Sequence, residues 1–205
     1  LGLPASLPPG AVLQAAQCLN RTCLELTQGQ YLDMSYENRC DLALNDYWPM
    51  VSGKTASLLG CCTELGAISA GLPAPRQAAY RQFGISLGLA FQSLDDWLGI
   101  WGDSALTGKS TESDLVSGKK SLPVLFGLGQ DGRFAQRWAQ GPVTNGEVRQ
   151  VAGWLSEDGA EQYTRETADR LTAEALSALD QAVEQESSAS AALRQLAGML
   201  LQRKN

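Results

Sequence analysis

Histidine is absent from the 205-residue chain, which excludes every mechanism that needs an imidazole base, Ser-His-Asp and Cys-His triads included. The five cysteines, Cys18, Cys23, Cys40, Cys61 and Cys62, form no CxxC pair and have no histidine to complete a zinc set. That pattern reads as buried, reduced thiols in a cytoplasmic protein. No apolar run approaches the ~20 residues needed to cross a bilayer, and no signal peptide is visible. Positive charge is scarce: 16 Lys and Arg stand against 22 Asp and Glu, a formal net charge of −6. No basic stripe is available to neutralise a nucleic-acid backbone, so nucleic acid is not the expected partner. Acidity does not exclude an anionic substrate. A few lysines or a divalent metal can reverse the field inside one cleft.

Strand patterning is nearly missing as well, while long helical stretches follow one another with proline or glycine breaks. The length and a 44% hydrophobic content suit one all-α domain over residues 1–205. The spacing predicts helices over Pro9–Ser35, Asn45–Gly71 and Pro75–Gly102, then near Lys119–Gly127, Thr144–Leu155, Glu157–Glu184 and Ser187–Arg203. Asn45 is the expected N-cap of the second helix, and Gly71-Leu72-Pro73 its stop. Between Asp103 and Gly118 lies a polar segment too poor in apolar residues for a buried helix; loops of that length are more often functional than not. The opening LGLPASLPPG reads as a proline-rich connector, so a segment preceding it is expected.

The third helix is the most informative. At about 100° per residue, Gln92, Asp95, Asp96, Gly99 and Asp103 share one stripe, opposite Phe91, Leu94, Trp97, Leu98 and Trp101. Ile85 and Gly88 continue that stripe with apolar and small side chains, which predicts a greasy extension of the same cavity. Three carboxylates cannot stay ionised together without a counter-charge. A hard divalent cation with oxygen ligands provides one, and magnesium pairs such carboxylates with substrate phosphates. A solvated helix face is the competing account, and the surrounding tryptophans and leucines weigh against it.

Other polar sets are more ambiguous alone. Gln30, Asp33 and Glu37 recur at helical spacing, as cavity residues or as a solvated helix end. Lys54-Thr55 follows Gly53 inside the second helix, where glycine costs ~1 kcal/mol unless close packing requires it. A lysine there wants an anionic partner, a carboxylate or a phosphate. Lys109 and Lys119-Lys120 bracket the polar segment, as point charges for a diphosphate or as solvated loop residues.

These residues, in this order, resemble the C-terminal part of the trans-isoprenyl diphosphate synthase family. The matching segments are GQYLDM at 29–34, GKTASLL at 53–59, FQSLDDWLGIWGD at 91–103, TGKSTESDL at 107–115 and KKSLPVL at 119–125. The resemblance implies a bundle of long antiparallel helices around a central cavity, the isoprenoid synthase type of fold, incomplete here. It implies a magnesium-dependent prenyltransferase that condenses an allylic diphosphate with isopentenyl diphosphate. Asp95 and Asp96, with Asp103 assisting, are then the metal ligands. Lys54, Thr55 and Lys119 take the catalytic positions on the allylic diphosphate. Gln30, Asp33, Gln92 and Lys109 complete the substrate-binding set. The resemblance also implies a homodimer, with Pro9–Ser35 and Asn45–Gly71 as the interface.

Two departures qualify it. Gly99 stands where many relatives carry a third aspartate, so direct ligation by a third carboxylate is open. The first aspartate-rich motif, expected before Leu1, does not occur in the chain. A terpene cyclase on the same fold and a non-catalytic partner subunit therefore remain alternatives.

Overall fold

The computed structural model describes residues 8–102 and 114–201. Pro9 at the first helical position, where its missing N–H costs nothing, opens α1 (Pro9–Tyr36). The second helical stretch begins at Leu44 rather than at the expected Asn45. The Asp46 carboxylate reaches back to the Ala43 N–H at 2.7 Å and caps it. This stretch divides into α2 (Leu44–Val51), a π-helical segment (Ser52–Ala56) and α3 (Ser57–Ser69). Pro49 lies inside α2; it lacks an N–H and crowds the preceding turn. The register loosens into the π segment just after it, as helices often do at functional sites. Gly71, at φ +67°, ends α3 with N–H bonds from Gly71 to Ile68 and from Leu72 to Ala67, a Schellman closure.

Helix α4 (Ala74–Trp101) is followed, beyond the polar segment, by α5 (Leu122–Leu128), α6 (Arg133–Trp138), α7 (Val148–Glu157), α8 (Ala160–Ala182) and α9 (Ser188–Leu201). Every regular element among the described residues is helical, and none is long and apolar enough to cross a membrane. The six-residue α6 was not foreseen; so short a helix has little intrinsic stability and is held by Phe134, fully buried with Val151 and Leu155.

Helix α4 is the central element. On one side Phe83 and Leu87 pack with Ala175, Ala178 and Leu179 of α8, each large side chain contributing roughly 1.5–3 kcal/mol by burial. On the other, small residues bring the π segment and α3 against it. A Cβ on Gly88 would lie 2.7 Å from Ala56 Cα, and one on Gly60 would lie 2.8 Å from Ile85 Cγ1. This corrects one expectation in part: Gly88 is covered by Ala56 of the π segment, whereas Ile85, beside Gly60, also lines a separate cavity of about 410 Å³ with Leu32, Pro49 and Ser57. A second correction concerns the thiols. All five are free, but only Cys18 and Cys61 are buried, while Cys23, Cys40 and Cys62 are exposed.

Candidate functional site

The α4 stripe faces the α2–π–α3 stretch and the start of α5, and its residues have different surroundings. Asp96 is 1% exposed. Its Oδ1 accepts from Gln92 Nε2 at 3.0 Å and Lys119 Nζ at 2.9 Å. Its Oδ2 accepts from the Tyr47 hydroxyl at 2.8 Å and the Leu122 N–H at 3.0 Å. A buried carboxylate needs such donors to remain charged. These four come from α2, α4, the chain before α5 and α5 itself, so Asp96 ties those elements together. Asp95, one position on, is half-buried, with the Gln92 amide at 3.5 Å.

Lys119 carries the charge of this wall. Its ammonium lies between Asp96 Oδ1 at 2.9 Å and Asp114 Oδ2 at 3.4 Å. Burial by itself lowers its pKa, but the attraction of Asp96 and Asp114 outweighs that, and the net shift is upward. Lys119 therefore stays cationic throughout the physiological range. Burial raises the pKa of Asp114, against the opposing pull of Lys119. Tyr47 is pushed well above the usual phenol value, first by burial and then by Asp96, so it remains a neutral donor.

The opposite wall is set by glycines. Gly29 of α1 and Gly53 of the π segment meet backbone to backbone: a Cβ on Gly53 would lie 2.6 Å from the Glu25 carbonyl and 2.9 Å from Gly29 Cα. Close packing is thus the reason for glycine at position 53. It sets Lys54 beside α1, where its ammonium pairs with Asp33 Oδ2 at 2.5 Å. Thr55, next in the π segment, donates to Gln92 Oε1 at 3.0 Å. A continuous polar chain therefore runs Thr55–Gln92–Asp96–Lys119–Asp114. Beside it opens a cavity of about 450 Å³, lined by Asp33, Met50, Lys54, Gly118, Lys119 and Lys120 among others.

Of the residues singled out by sequence, Asp33, Lys54, Thr55, Gln92, Asp95, Asp96 and Lys119 gather around this cleft. Gln30 is exposed on α1 and lies outside the network. Asp103 and Lys109 lie outside the described residues. Two participants were missed. Tyr47 could have been suspected as a buried phenol in need of a partner; Asp114 lay within the TGKSTESDL segment but was not singled out there. Among the described residues, no group of three or more carboxylates or thiols is arranged to hold a metal unaided.

Comparison with known proteins gives a consistent result. The Polyprenyl synthetase family model matches residues 5–153. A geranylgeranyl diphosphate synthase of Mycobacterium tuberculosis is 37% identical over 176 residues, covering 83% of this chain and 50% of its own. The chain thus spans about half the length of that relative. The polyprenyl synthetase structure from Streptomyces coelicolor A3(2) superimposes with a TM-score of 0.83 at 32% identity, over 93% of this chain and 60% of its own. A geranylgeranyl pyrophosphate synthase from Corynebacterium glutamicum, complexed with isoprenyl diphosphate and magnesium, does so with a TM-score of 0.86 at 26% identity, over 97% and 57%. With an all-helical fold, an acidic wall on α4 and lysines on both sides of the cleft in agreement, the chain belongs to the polyprenyl synthetase family.

Proposed function

We propose that this chain forms the allylic-diphosphate half of a prenyltransferase active site, in a protein that joins an allylic diphosphate to isopentenyl diphosphate. The observation that carries the reading is the cleft itself. Lys54 stands on one wall and Lys119 on the other, each held in place by carboxylates, with Asp95 half-buried on the neighbouring helix.

The residues fit magnesium in a specific way. Magnesium binds through one or two carboxylates together with substrate phosphates rather than in an all-protein cage, so the lack of a three-carboxylate cluster among the described residues is compatible with it. Asp95 is the proposed contact, while Asp96, whose two oxygens already accept from four donors, orients the wall. Asp103 keeps its place in the proposed metal set. Bound there, the cation would neutralise charge on the departing diphosphate.

The chain's own residues do the rest. Lys54 and Lys119 bind the diphosphate oxygens, Thr55 and Gln92 orient the wall, and Asp33 and Lys109 complete the substrate-binding set. The allylic C–O bond breaks with its electron pair leaving on pyrophosphate, and the isopentenyl double bond attacks the carbocation. A proton then leaves the new chain for pyrophosphate. Such a reaction needs stabilised charge and excluded water rather than a side-chain base, which accords with a chain free of histidine.

A homodimer belongs to the same proposal. Leu13, Leu24, Tyr31 and Met34 are exposed along α1, as is Leu58 on α3, and an apolar stripe of this kind suits a protein interface. A cytoplasmic location is supported by the five free thiols. The test is to incubate the intact gene product with labelled isopentenyl diphosphate, an allylic diphosphate and Mg²⁺. Labelled prenyl diphosphate one isoprene unit longer is expected; release of pyrophosphate without incorporation of label would refute the condensation.

A further inference from the structure

Where the α4 stripe reaches Gly99 there is no side chain, and the space is filled from elsewhere. A Cβ built on Gly99 would lie 2.5 Å from Oδ2, 2.6 Å from Cγ and 2.9 Å from Oδ1 of Asp114. The approach is anchored by the backbone, since the Asp114 N–H donates to the Gly99 carbonyl at 3.1 Å. The Asp114 carbonyl in turn accepts from the Lys119 N–H at 3.0 Å and the Ser117 hydroxyl at 3.2 Å, closing a turn whose Gly118 sits at φ +69°. The Asp114 side chain is 16% exposed, and its Oδ2 is 3.4 Å from Lys119 Nζ.

We propose that Asp114 is a positioning residue of this site. Its carboxylate occupies the niche left by Gly99 and, with Asp96, holds the Lys119 ammonium at the cleft, so that this wall's third acidic group comes from the chain after α4. With any side chain at position 99, the carboxylate could not reach that niche. Without the Asp114 carboxylate, Lys119 keeps one carboxylate partner instead of two. The inference rests on the functional reading above for what Lys119 binds, but the pairing of Gly99 with Asp114 stands on geometry alone.

The experiment uses the intact gene product and four variants: Asp114→Asn, Asp114→Gly, Gly99→Asp, and the exchange Gly99→Asp with Asp114→Gly. Binding of inorganic pyrophosphate with Mg²⁺ is measured by calorimetry, and Tm is measured without ligand. Asp114→Asn keeps the side-chain shape and is expected to fold, yet to bind magnesium pyrophosphate about tenfold more weakly, as outer residues of such sites do. Gly99→Asp should lower both Tm and affinity by crowding two carboxylates. The exchange should recover both relative to Gly99→Asp, a coupling that independent sites would not show. Unchanged affinity in Asp114→Asn, or an exchange no better than Gly99→Asp, would overturn the proposal. If the unaltered protein binds no magnesium pyrophosphate, the functional reading fails, and the ligand-free Tm values still judge the pairing: additive losses sink it and recovery sustains it.

Discussion

The hydroxyl of Tyr47 donates to Asp96 Oδ2 across a distance of 2.8 Å, with both residues at 1% exposure. Tyr47 is on α2 and Asp96 near the end of α4, so this bond fixes the acidic wall against the helix that leads into the π segment. Tyr47→Phe keeps the ring and removes the donor, leaving a buried carboxylate short of one partner. It should cost about 1–3 kcal/mol in urea denaturation. A loss near zero would mean that the other donors of Asp96 suffice.

Neighbouring aspartates should give different phenotypes. Asp95→Ala should depress turnover of the intact protein by orders of magnitude with little change in Tm, because Asp95 is half-buried and is the proposed metal contact. Asp96→Ala should lose activity and about 3 kcal/mol of stability, since it strips a buried partner from Lys119 and empties a four-donor site. Circular dichroism melts alongside kinetics separate the two; equal Tm losses would contradict the assignment.

The glycine contact between α1 and the π segment leads to a third expectation. A Cβ on Gly29 would collide with the Lys54 backbone nitrogen, an atom that cannot yield as a flexible side chain can. Gly29→Ala should destabilise by about 1–3 kcal/mol through overpacking and move Lys54 away from Asp33. Raised KM for the allylic diphosphate, exceeding that of Gly66→Ala at an open helical position, is the discriminating measurement.

Acid should release a clamp remote from the cleft. Glu147 accepts two bonds from the Arg137 guanidinium, both at 2.9 Å, as well as the Thr144 hydroxyl and N–H. These bonds, Arg137 first, lower its pKa from 4.5 to about 2. A depressed carboxylate stabilises the fold above its unfolded value and loses that contribution as pH falls through the folded one. Glu147→Gln should therefore lower Tm at pH 7, and its deficit should shrink between pH 4.5 and about 2. A deficit independent of pH would assign the effect to packing.

Much of this was legible from residue order. Proline and glycine punctuation located α1, α4 and the outer ends of the α2–π–α3 stretch within a few residues, because helix boundaries follow from local backbone chemistry. The requirement for close packing at Gly53 and for an anionic partner at Lys54 could be stated in advance; that the contacts were Gly29 and Asp33 could not. Gln30 shared the spacing of Asp33 and yet faces away, since a helix turns 100° per residue and its orientation is set by what packs on it.

By itself, then, the sequence determined the all-helical class, the breaks marked by proline and glycine around α1 and α4, and which helix carries the acidic stripe, since all of these depend on local backbone chemistry and periodicities of three or four residues. Tertiary structure decided that Asp96 is buried among four donors while Asp95 is not, that Ala56 of the π segment covers Gly88 below Gln92, and that Asp114 fills the space over Gly99. Those outcomes depend on where small residues let backbones approach, and on which buried charges find partners far along the chain.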